Sequence, residues 1–198
     1  MKRLRTVFCM TFLAICLIAQ DGMAADRPVK SANPLSQEEG NLAYFTDLAV
    51  MTHDGTSHRF YSDLMKGKIV LIGFFCTTCP SLDPVIATLH ALQRELGKNM
   101  NDRYVILWVS VDPEQDSLKA VQAFAGRVKP EKGWQLVTAE KEHLKTINRK
   151  LGHTKSDPAQ HPRYFMLGNP AKGSWMKMAE TAPAKSLADG LRKLAEER

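Results

Sequence analysis

The chain has 198 residues, of which 44% are hydrophobic and 24% charged, with a formal net charge of +6. That length accommodates one domain with a substantial core, and the ordinary composition excludes disordered and collagen-like classes. The positive charge is too mild and too evenly spread to point to a nucleic-acid partner.

The N-terminus is laid out as a secretory signal peptide over residues 1–24. Lys2, Arg3 and Arg5 precede an apolar run from Val7 to Ala19, and Gly22-Met23-Ala24 offers small residues for cleavage. The run is short for a bilayer span, which takes about 20 residues, so membrane contact is expected only if the segment stays uncleaved. Cys9 and Cys16 fall inside it and are read as passengers. Cleavage after Ala24 would leave a net charge of about +4. An exported, periplasmic protein would meet oxidising conditions, where a cysteine pair is normally a disulfide unless a reductant or metal keeps it otherwise.

Residues 25–40 are polar, proline-bearing and aperiodic, and read as a flexible linker ahead of a domain over 41–198. Phe45 to Val50 and Ser57 to Tyr61 flank the turn dipeptide Asp54-Gly55 and predict an N-terminal hairpin. Ile69 to Phe75 is continuously apolar, as a strand buried on both faces should be. In the next helix Asp83 is expected as N-cap and Pro84 at the first helical position, with Val85, Leu89, Leu92 and Leu96 forming its apolar stripe. Tyr104 to Val111 predicts a second buried strand, and Ser117 to Arg127 a helix with Leu118, Val121 and Phe124 on one face. Trp134 to Val137 and Tyr164 to Leu167 predict strands, Glu140 to Leu151 and Ala184 to Glu196 helices. Trp175-Met176-Lys177-Met178 alternates as a strand does, which explains its methionines better than soft-metal binding. Strands alternating with helices imply an α/β sandwich, a central mixed sheet flanked by helices.

Between the first buried strand and its helix stand Cys76-Thr77-Thr78-Cys79-Pro80. A loop of about four residues gains only roughly 2 kcal/mol from a disulfide, so this pair points to chemistry more than to stapling. A cysteine at the mouth of a helix is favoured as thiolate by unpaired N–H groups and the helix dipole. Cys79 is thus the expected nucleophile, with Cys76 as resolving partner or second metal ligand. A strand, a cysteine pair and a helix in this order resemble the thioredoxin fold.

Several segments resemble the SCO/SenC family, thioredoxin-fold proteins associated with copper delivery to cytochrome c oxidase. Thr77-Thr78-Cys79-Pro80 looks like the family's Thr-x-Cys-Pro, and Ser110-Val111-Asp112-Pro113-Glu114-Gln115-Asp116 is similar to its Ser-Val-Asp-Pro-x-x-Asp. Trp134 to Thr138, with a helix ending at Leu151-Gly152, resembles a further block, and His161 stands nine residues before Pro170 in the setting of the copper-binding histidine. The chain also departs from the pattern. Asp83 occupies the place of the family's second cysteine, and Cys76 that of an aromatic residue. Pro162, directly after His161, resembles the proline that faces the cysteines of thioredoxins and would shape a substrate groove.

The resemblance implies two functions for the same side chains. Cys76, Cys79 and His161 could bind copper, chiefly as Cu(I), which accepts thiolate with imidazole at low coordination number. The implied role is copper handling for cytochrome c oxidase assembly, with an oxidase copper-site subunit as protein client. Alternatively the pair serves a periplasmic thiol–disulfide oxidoreductase, in which Cys79 attacks a client disulfide, Cys76 resolves it and a thiol reductant restores the pair. A non-catalytic interaction module with a structural disulfide is the third reading. Asp112 and Asp116 are expected to organise the loop after the second buried strand.

Overall fold

The computed structural model describes residues 36–80, 82–155, 157, 160 and 163–197. The signal-peptide reading, and nearly all of the segment read as a linker, lie outside the described residues. Helix α1 (Gln37–Phe45) begins within that segment, where a linker was expected. Its start is fixed by a capping box, in which Ser36 accepts from Glu39 N–H and the Glu39 carboxylate accepts from Ser36 N–H.

Strands β1 (Ala49–Thr52) and β2 (Ser57–Arg59) form the expected antiparallel hairpin, pairing Met51 with Ser57. The chain then turns into the short helix α2 (Phe60–Leu64), so Phe60 and Tyr61 are helical where a strand was expected. Asp63 causes the switch: its carboxylate accepts from Arg59 N–H at 2.7 Å and pairs with the Arg59 guanidinium one turn away.

The apolar runs become β3 (Ile69–Phe75) and β4 (Tyr104–Ser110), every residue of both buried. They pair in parallel from Ile69–Tyr104 to Phe75–Ser110, and β5 (Trp134–Thr138) pairs in parallel with β4. Strand β6 (Tyr164–Asn169) joins β3 antiparallel, and β7 (Ser174–Ala179) joins β6 antiparallel. The sheet order is β2-β1-β5-β4-β3-β6-β7.

Helices α3 (Asp83–Leu96), α4 (Leu118–Val128) and α6 (Ala184–Glu196) cover one face, and α1 and α5 (Lys141–Lys150) the other. Alternation along β3 shows the division. Phe75 stacks on Phe124 of α4 with ring centres 5.3 Å apart, whereas Phe74 points the other way, toward His153 and Tyr164. The fold is the α/β, thioredoxin-like sandwich with a mixed central sheet.

The start of α3 differs from expectation. Leu82, not Asp83, is the N-cap residue, and Asp83 and Pro84 open the first turn. Pro84 lacks an N–H and loses nothing in that turn, while the exposed Asp83 carboxylate lies near the positive end of the helix. Met176 and Met178 pack against α6: a Cβ on Gly190 would stand 3.2 and 3.3 Å from their sulfurs.

Candidate functional site

Parallel pairing of β3 and β4 brings two loops to the carboxyl edge of the sheet, where open α/β sheets place their ligands. One loop holds the cysteines and the other runs from Val111 to Ser117. They are joined at their roots, because Val111 N–H donates to Phe75 O at 2.9 Å.

Cys76 to Cys79 form a single turn closed by Cys79 N–H donating to Cys76 O at 3.1 Å. The two cysteines are joined as a disulfide, with Cα atoms 5.1 Å apart. Cys76 is 2% exposed and Cys79 9%, so an incoming group meets Cys79 first. Thr78 and Pro80 on either side of Cys79 are exposed. Helix α3 begins only at Asp83, so Cys79 precedes its first turn rather than standing in it. The dipole acts mainly within the first turn and favours a Cys79 thiolate less than the sequence suggests.

Asp116 anchors this turn from the neighbouring loop. Its Oδ1 accepts from Thr77 N–H at 2.9 Å and from the Thr77 hydroxyl at 2.6 Å. Its Oδ2 accepts from the Ser110 hydroxyl at 2.5 Å, and its backbone carbonyl from the Thr138 hydroxyl at 2.7 Å. Burial raises the Asp116 carboxyl above the usual carboxylate range, against the lowering effect of the Ser110 and Thr77 hydrogen bonds. Asp112 shapes the same loop, its Oδ1 accepting from the N–H groups of Glu114 and Gln115 at 3.2 Å. Both aspartates organise the loop as expected.

His161 and Pro162, the other two residues singled out in the sequence, lie outside the described residues. Among the described residues no group of three or more His, Cys, Asp or Glu is placed to hold a metal. Of the three residues the sequence reading expects as copper ligands, the structure describes Cys76 and Cys79, joined as a disulfide. Two thiolates on one tight turn suit Cu(I) and leave the coordination number low. The sequence gives Asn148 no signal, and His153 shows no metal-ligand spacing there and is assigned no role. Asn148 is buried and donates from Nδ2 to Ser110 O at 2.9 Å, tying α5 to the end of β4. His153, also buried, sets its ring 6.2 Å from Phe74.

No curated protein matches the chain. Solved structures do. A SCO1/SenC family lipoprotein from Bacillus anthracis str. Ames is 21% identical, with a TM-score of 0.62 over 75% of this chain and 92% of its own. BsSco, described with a disulfide switch and as a member of the Sco family of cytochrome c oxidase assembly proteins, is 21% identical with a TM-score of 0.62. That match covers 78% of this chain and 94% of BsSco. Bradyrhizobium japonicum ScoI with copper bound is 18% identical, with a TM-score of 0.60 over 74% of this chain and 96% of its own. Identities this low establish a common fold. The sequence profile described as SCO1/SenC matches residues 39–196, most of the chain. The chain belongs to the SCO1/SenC family.

Proposed function

We propose that the protein handles Cu(I) as cargo for cytochrome c oxidase assembly, holding the ion between the thiolates of Cys76 and Cys79 and the imidazole of His161. The observation that carries this reading is the cysteine turn itself: two soft donors with Cα atoms 5.1 Å apart, on the open carboxyl edge of the sheet. The copper-bound B. japonicum ScoI, of the same fold, supports it. The N-terminal segment suits delivery to an exported site, the periplasm in a bacterium. No described helix is long and apolar enough to cross a membrane. Cu(I) titration of the reduced protein tests the reading. One ion per chain is expected, and Cys76→Ser or Cys79→Ser should each weaken binding by about 100-fold or more, beyond what loss of an outer-shell partner costs. Unchanged affinity in both variants would refute it.

The disulfide and the unequal exposure of its cysteines favour a second reading, thiol–disulfide exchange with a protein client. The Cys79 thiolate attacks one sulfur of a client disulfide, and the other client sulfur leaves as thiolate. Cys76 thiolate then attacks Cys79 Sγ in the mixed disulfide and releases the client's second thiolate. Two electrons pass to the client, and an external dithiol must reduce the Cys76–Cys79 bond for another cycle. In the reduced protein, iodoacetamide should label Cys79 (9% exposed) faster than Cys76 (2% exposed). The reverse order would exclude Cys79 as the attacking sulfur.

A further inference from the structure

Beside the cysteine turn, on the α5 side of the sheet, lies an open groove of about 730 Å³. Its floor is the loop after β4, with Val111 and Pro113, and one wall is the last two turns of α5. It reaches the cysteines through Val111, whose N–H bonds the carbonyl of the residue before Cys76.

Two features point to what the groove would take. First, its rim is basic. Lys145 and Arg149 stand four residues apart on α5, both exposed, and Lys155 follows beyond the helix. Among the described residues Arg149 and Lys155 make no side-chain ion pair, while Lys145 has a surface contact of 3.2 Å with Glu142 and a longer-range attraction to Glu114. Second, the acidic groups of the groove are already engaged. Glu114 pairs with Lys141 at 2.5 Å, and Asp112 accepts from two backbone N–H groups of its own loop.

We propose that this groove seats an extended acidic segment of the client protein, its Asp or Glu side chains meeting Lys145, Arg149 and Lys155. The inference rests on the proposed delivery function, for it names how a client is held beside Cys79. The cationic rim speeds encounter.

The test is fluorescence-anisotropy titration of the full chain with a labelled hexapeptide, Gly-Glu-Asp-Glu-Asp-Gly, beside its lysine counterpart, Gly-Lys-Lys-Lys-Lys-Gly. The acidic peptide should bind and the basic one should not. The double variant Lys145→Glu/Arg149→Glu should weaken binding about tenfold or more, since two attractions become repulsions at an exposed site. Salt raised to about 0.5 M should weaken it similarly. Absence of binding, equal binding of both peptides, or indifference to the double variant would overturn the proposal. So would a concentration-dependent dimer in sedimentation that the double variant dissolves, because a second copy would then own the groove. Lys145 and Arg149 are not metal ligands. Cu(I) titration of the same variant therefore reports on the delivery function separately, and a failure of docking leaves that result unchanged.

Discussion

Asp116 holds both polar groups of Thr77, the N–H at 2.9 Å and the hydroxyl at 2.6 Å, and thereby fixes the turn between the two cysteines from a loop 39 positions away. The carboxylate is 1% exposed, so the contact is shielded from water. Small displacements of Asp116 must therefore move Thr77, and with it the relative placement of Cys76 and Cys79.

Asp116→Ala should destabilise the protein by about 1–3 kcal/mol, because Thr77 N–H and the Ser110 hydroxyl lose a buried acceptor. Asp116→Asn keeps an acceptor for Thr77 and should cost much less. The two variants also separate charge from geometry. Burial raises the Asp116 carboxyl above its ordinary 3.8. The folded state therefore favours the protonated form, and that contribution is complete below pH 3.8 and lost as pH rises through the raised value. Relative to Asp116→Asn, the wild-type protein should lose stability across that interval and level off above it. Urea unfolding of both proteins at a series of pH values checks the sign; a difference that grows with pH would contradict it.

The Cys76–Cys79 bond should matter little to stability. It closes a turn of four residues, for which the chain-entropy relation gives about 2 kcal/mol. Reduction should lower the melting temperature by about 4–8 °C in a domain of this size. Unfolding on reduction would instead mark the bond as a structural staple.

The sheet can be loosened away from the cysteines at one defined point. Gly168 of β6 lies beneath Trp175 of β7, and a Cβ there would fall 2.1 Å from the indole. Gly168→Ala must push the ring aside, at about 1–3 kcal/mol. Trp175 packs on Phe45 with ring centres 5.0 Å apart, so α1 should lose its seat. Hydrogen exchange should accelerate over 37–45 more than over α3. Equal protection in both helices would show that Trp175 does not anchor α1.

Much of the fold was legible because its centre is built from parallel strands buried on both faces. Ile69–Phe75 and Tyr104–Ser110 are unbroken apolar runs for that reason. Helix α1 was not legible from periodicity, since only Asn41 and Phe45 of its nine residues are buried. Its signal was the Ser36–Glu39 capping box. Helix α2 was missed because one side chain, Asp63, turns an otherwise strand-like segment. In the site, the cysteines were conspicuous by spacing, and Asp116 was expected to order its loop. Its grip on Thr77 depends on the register of β3 with β4, and the role of Asn148 on how α5 packs beneath them. Neither relation is local in sequence.

The central claim is a Cu(I) site of two sulfurs and one nitrogen. It is tested most directly by competition titration of the reduced protein against a Cu(I) chelator of known affinity, in parallel with His161→Ala. Loss of a ligand predicts affinity lower by about 100-fold or more in the variant, with the Cys76–Cys79 pair still able to form its disulfide. Weak binding that His161→Ala leaves unchanged would contradict the claim, and leave thiol–disulfide exchange as the function of the pair.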